Sequence, residues 1–138
     1  MARKEITFVV QDQASRDVGK EFIITEMSAW DGEELASQLF RIMGEQGITG
    51  IPDDVINMGS AGLGTIGMNV ISAASPEAAR ALRDRLLSTV QIAIESEEAG
   101  RIVRAVNGKI DFEEIETIRL VMAEVFKVNF GFLTIGEQ

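Results

Sequence analysis

Between Asp54 and Glu77 the chain runs for 22 residues without a charge, and Gly59, Gly62, Gly64 and Gly67 fall inside that run. Such a stretch is not a solvated surface, so it is buried within the domain, buried at an interface, or laid through a membrane. The polar residues Asn57, Ser60, Thr65, Asn69 and Ser72 make it a poor match for a continuous apolar 20-mer, which favours a buried or interface helix. On a helix, Ile56, Leu63, Ile66 and Val70 line one face. Ser60, Gly64 and Gly67 make a second face of small residues, suited to close helix approach or self-association. Glycine in a helix interior costs about 1 kcal/mol relative to Ala, so roughly 3–4 kcal/mol has to be recovered by packing. The segment is expected to be the least self-sufficient part of the chain, with a loop over Gly59 to Gly64 as the alternative.

The flanking sequence supplies the partners for that packing. Ile6, Phe8 and Val10 alternate with Thr7, Val9 and Gln11, and Phe22 and Ile24 alternate with Ile23 and Thr25. With the polar stretch Asp12 to Gly19 between them, these two runs predict a β-hairpin with a long loop. A first helix has two overlapping start signals. One is Ser28 with Asp31; the other is Asp31 with Glu34, stapled by Trp30 against Leu35. Ala36, Leu39, Phe40 and Met43 continue it as an apolar stripe, widened by Leu35 and Ile42, and Gly47 is its stop. Ser75-Pro76-Glu77 opens another helix, with Ala79, Leu82, Leu86 and Val90 as its stripe. From Val90 the period changes. Val90, Ile92 and Ile94 alternate, and Arg101 to Val106 ends at Asn107-Gly108, so this region is a second short hairpin or a helix continuing to about Glu95. Asp111 and Glu114 read as a capping box, with Ile110 and Ile115 as a staple, for a last helix bearing Ile115, Ile118, Met122 and Val125, with Val121, Phe126 and Phe130 beside them. The expected fold is α+β and mostly α: an N-terminal β-hairpin followed by three to four packed helices, in a single domain over residues 1–138.

Composition removes most catalytic chemistry. With 138 residues the chain can bury about 68–70% of its unfolded surface without a staple. It contains no His and no Cys, which excludes Ser-His-Asp triads, thiol nucleophiles, zinc fingers and imidazole bases. Its 22 acidic against 13 basic residues, a net charge of −9, oppose a phosphate backbone, so nucleic acid is not an expected partner. The Met-Ala-Arg-Lys start runs directly into the first strand pattern without an apolar secretory segment, and the expectation is a cytoplasmic protein without a membrane span.

Three patterns deserve a chemical test. Gly62-Leu63-Gly64-Thr65-Ile66-Gly67 matches G-x-G-x-x-G, but no buried strand precedes it and the candidate acid, Asp84, falls within a helix pattern. The acid pairs Glu33-Glu34, Asp53-Asp54, Glu97-Glu98 and Glu113-Glu114 fall at helix starts or in polar loops, where carboxylates favour the helix dipole and solvent. No catalytic, cofactor or metal residue is therefore assigned, and an enzyme is not expected. Phe126, Phe130 and Phe132, followed by Leu133 and Ile135, outrun a clean helical stripe. They are core residues or, in part, an apolar contact surface for a partner or second copy. Phe126, Phe130, Phe132 and Leu133, with Gly64 and Gly67, are the candidate partner-binding or self-association residues.

The order of parts resembles the tail assembly chaperones of long-tailed bacteriophages. The resemblance is carried by Glu21 to Thr25 running into Glu26-Met27-Ser28-Ala29 and a helix, by Ile51-Pro52-Asp53 before the Gly/Ala-rich segment, by the helix ending Leu86-Leu87-Ser88-Thr89-Val90, and by Ile110-Asp111 through Glu124-Val125-Phe126 to Gly131-Phe132. Family members often carry His where this chain has Asn129 and Pro where it has Ser28. The resemblance implies a non-catalytic protein of the infected host cytoplasm that binds the tape measure protein, keeps it soluble, helps recruit tail tube subunits, commonly exists beside a longer frameshifted product, is expected to be a homo-oligomer, and is absent from the virion. A structural tail or tail-completion subunit that self-assembles and stays in the particle is the alternative.

Overall fold

The computed structural model describes residues 3–47 and 60–131. Strand β1 (Glu5–Val9) and strand β2 (Glu21–Thr25) form the first hairpin, and helix α1 (Ala29–Glu45) follows. After it come helix α2 (Ser60–Ala73), helix α3 (Pro76–Leu87), strand β3 (Val90–Ser96), strand β4 (Gly100–Ala105) and helix α4 (Ile115–Phe130). The strands make one antiparallel sheet in the order β1-β2-β3-β4, so the second hairpin joins the first edge to edge. This is the expected α+β fold, and it resolves residues 90–106 as a hairpin: α3 stops at Leu87, and Val90 serves the sheet instead of the helix stripe.

Register explains why one side of the sheet is apolar. Phe8 lies opposite Phe22 and Phe22 opposite Ile92, while Ile6 lies opposite Ile24 and Ile24 opposite Val90. These side chains share one face by the period of two and pack with the helices in one core. The helices answer with Leu35, Leu39 and Met43 from α1, Val70 and Ile71 from α2, Ala79, Leu82 and Leu86 from α3, and Val121, Met122, Val125 and Phe126 from α4.

The uncharged run enters α2 at Ser60, so over Ser60 to Gly64 the helix holds and the alternative loop does not form; Gly59 and Ile56 lie outside the described residues. A Cβ at Gly64 would stand 2.9 Å from the Ala123 Cβ, and a Cβ at Gly67 would collide with the Phe126 ring. At Gly64 and Gly67 the small-residue face is therefore occupied by α4 of the same chain. Hydrogen makes room for an aromatic ring, and the burial of Phe126 helps offset the poor helix propensity of α2. The G-x-G-x-x-G match lies wholly within α2, whereas the fingerprint works at a turn from strand to helix.

Two helix starts follow the local signal and one does not. The Ser28 hydroxyl accepts the Asp31 N–H at 3.1 Å and the Ser75 hydroxyl accepts the Ala78 N–H at 3.2 Å, with Pro76 at the first turn. Gly47, at φ +81°, follows the end of α1 as expected. The Trp30 staple does not form, since Trp30 is 80% exposed. The Asp111–Glu114 capping box does not form either. Asp111 is drawn away to Arg104 at 2.6 and 2.8 Å and to the Asn107 N–H at 2.6 Å, while Ile110 and Ile115 remain exposed.

Asp17, in the β1–β2 loop, caps α4 instead. Its fully buried carboxylate accepts the N–H of Glu113 at 2.9 and 3.1 Å and that of Glu114 at 2.9 Å, and it meets Lys20 Nζ at 2.9 Å. Lys20 also donates to the Asp111 carbonyl at 2.8 Å, and Arg16 pairs with Glu114 at 3.1 Å. Burial alone would push the Asp17 carboxyl up, but the Thr117 hydroxyl, Lys20 and the two backbone donors outweigh it and hold the group far below the ordinary carboxylate range. The Arg104 guanidinium, ahead of the opposing effect of burial, lowers the Asp111 carboxyl as well.

Candidate functional site

At the other end of α4 the packing opens. The apolar stripe read along α1 separates into two lines. Leu35, Leu39 and Met43 turn into the core, while Gly32, Ala36 and Phe40, spaced four apart, turn toward the last turn of α4. Gly32 and Ala36 are too small to reach across, and a methyl group added at Gly32 would meet nothing within 4 Å. The result is a groove of about 680 Å³, bounded by α1, by the Glu26–Ala29 connection, and by Val128, Asn129, Phe130 and Gly131. Met27, Val128 and Phe130 are buried beneath it, and Phe40 is 42% exposed at its side. Arg3, Lys4, Glu26 and Glu33 give the rim both signs of charge.

Asn129 fixes the geometry of this groove. Its Oδ1 accepts the Met27 N–H at 2.7 Å and its Nδ2 donates to the Val125 carbonyl at 2.9 Å, so one amide ties the entry of α1 to the final turn of α4. Ser28, capping α1, stands next to it. Ser28 and Asn129 thus both stabilise the groove wall with side-chain hydrogen bonds.

The sequence-selected residues that are described, Phe126, Phe130, Gly64 and Gly67, lie in helix packing and not in an exposed patch. Phe126 is enclosed against Gly67 and pairs with Phe130 at a ring separation of 6.1 Å. Phe130 is buried yet borders the groove, whereas Gly64 and Gly67 face α4 from α2. Phe132 and Leu133 lie outside the described residues. The groove residues Gly32, Ala36 and Phe40 were hidden in the sequence because their spacing matches a core stripe. The available signal was the pair of small residues interrupting it.

The site suits apolar side chains. Among the described residues there is no cluster of carboxylates able to hold a metal ion, and no helix long and apolar enough to cross a membrane. Comparison with curated proteins and with solved structures finds no match. The family model described as phage tail assembly chaperone protein, TAC, matches residues 18–133, a span that takes in both α1 and α4 and hence the groove. The chain belongs to the phage tail assembly chaperone family.

Proposed function

We propose that this chaperone binds the tape measure protein during tail building in the host cytoplasm, holds apolar side chains of a helical client segment in the α1–α4 groove, and yields the client as tail tube subunits are recruited. The observation that carries this reading is the groove itself: among the described residues an apolar floor lies open because α1 places Gly32 and Ala36 where larger side chains would close it. Amphipathic helices dock by setting residues spaced three and four apart into such grooves. A net charge of −9 keeps a chain with an open apolar groove soluble, and no group at the site is needed for catalysis.

Filling the groove separates binding from folding. Gly32→Leu supplies a better helix former pointing into open space, so the variant is expected to stay folded while losing its ability to keep co-expressed tape measure protein soluble. Phe40→Asp should lose the same ability with a circular dichroism spectrum like that of the parent. If both variants protect the client as well as the parent does, the groove is not the binding site. Mass spectrometry of purified particles then distinguishes a chaperone, which is absent, from a tail subunit, which persists.

A further inference from the structure

The sheet has two edges, and they are treated differently. Along β1, α4 packs against the strand. Strand β4 pairs with β3 on one side, and all six of its residues are exposed, Ile102 and Val103 by 39% and 43%. The phase of the ladder follows from one bond. Val106 N–H donates to the Val90 carbonyl at 3.1 Å, and with Ile92 opposite Arg104 and Ile94 opposite Ile102 this makes the even-numbered β4 residues the ones bonded to β3. The backbone groups of Arg101, Val103 and Ala105 therefore face outward.

Natural edges of this kind are blunted by charge. Here both candidate charges are engaged inside the chain. Arg101 reaches across β3 to Glu21 at 2.6 Å, and Arg104 is held by Asp111 at 2.6 Å. Arg104 Nη1 also donates to the Ala105 carbonyl at 3.0 Å, which leaves that oxygen one lone pair, while the outward backbone groups of Arg101 and Val103 stay open and neither arginine is left as an unpaired guard.

We propose that β4 pairs antiparallel with β4 of a second copy, about a two-fold axis through Val103, to give one sheet continuous across the dimer. The outward backbone phase admits this register, and an axis at Val103 centres it on the strand so that the whole of Arg101 to Ala105 is paired. It sets Val103 against its own counterpart and Arg101 against Ala105, both as hydrogen-bonded pairs, and Ile102 against Arg104 between them. No arginine stands opposite an arginine, and Val and Ile occupy the centre, where cross-strand packing of β-branched side chains stabilises a pair. Neutralisation of Arg101 and Arg104 by Glu21 and Asp111 removes the repulsion that two basic strands would otherwise bring together. This interface is separate from the groove and does not depend on the client reading.

Sedimentation of the full chain tests the proposal. The parent is expected to sediment as a concentration-dependent dimer, and Val103→Lys, which sets two ammonium groups against each other on the axis while leaving the β3–β4 ladder intact, as a folded monomer by the same circular dichroism. Because the chain has no Cys, Val103→Cys is an unambiguous second probe. Under copper-phenanthroline oxidation it should give a disulfide-linked dimer, whereas Arg83→Cys, on the exposed side of α3, should give no more than background. A parent that stays monomeric at the highest concentration it tolerates, a dimer unaffected by Val103→Lys, or equal crosslinking at positions 103 and 83 would each overturn the assignment.

Discussion

The two ends of α4 solve opposite problems with the same helix. At its N-terminus, Arg16, Asp17 and Lys20 of the β1–β2 loop close around Glu114 at the helix start, and the N–H groups of Glu113 and Glu114 are taken by a buried carboxylate. At its C-terminus, a helix length of about 24 Å away, the Asn129 amide ties the entry of α1 to the helix, and among the described residues a groove separates the two helices. The first end is specified by groups that cannot be left unpaired. The second is specified by side chains that are too small to fill it. Polar closure fixes the helix, and the absence of bulk leaves a place for something else.

The largest effect is expected at the closed end. Asp17→Ala strips the Glu113 and Glu114 N–H groups and Lys20 of their common acceptor, and should lower unfolding free energy by about 3 kcal/mol in chemical denaturation, the scale for opening a buried charged network. A loss no larger than that of an ordinary surface change would erase the contrast between the ends. Next comes pH. Asp17 and Asp111 have folded-state values below their unfolded ones, so their contribution is fully present above the ordinary carboxylate pKa of about 4 and drains away as pH falls through the folded values. Acid unfolding followed by circular dichroism should be less steep in Asp17→Asn.

Smaller and opposite in sign is Gly32→Ala in the open end, expected to stabilise the chain by up to about 1 kcal/mol because α1 gains helix propensity and nothing is displaced. Smallest is Phe40→Ser, which should move the unfolding midpoint by no more than about 0.5 kcal/mol, the usual range for a surface position, while removing an apolar wall of the groove. A large loss from Phe40→Ser would mean that the groove wall supports the core, and the division of labour along α4 would have to be redrawn.

What could be read in the sequence was local. Ser28, Ser75-Pro76 and Gly47 act on neighbours within one turn, so their roles were visible from spacing alone. The alternation of Ile6, Phe8, Phe22 and Ile24 likewise gave the hairpin and its inner face. Asp111 misled because the chemistry of a cap, a short acid able to accept N–H bonds, is also the chemistry of a partner for Arg104. The actual cap is 96 residues from the N–H of Glu113 that it receives, and no local spacing encodes that meeting. In α1, periodicity located the apolar side but could not divide it into a line facing the core and a line facing a gap. Phe126 and Phe130 carried the same ambiguity between core and contact surface, and only tertiary packing placed them in the core.

The cap supplied by Asp17 also bears on the order in which the chain can acquire structure. The hairpin loop that provides it is synthesised long before α4, and closing the intervening stretch carries a loop entropy that grows slowly with length but must be met before the contact contributes anything. Until then the first turn of α4 has no side-chain cap of its own, and Gly67 faces no ring. Docking of the last helix is thus a late, long-range event that completes α2 and the first hairpin together. A nascent chain stalled before residue 115 should hold its early strands with far less protection from exchange or proteolysis than the finished protein, even though every strand residue has already been made.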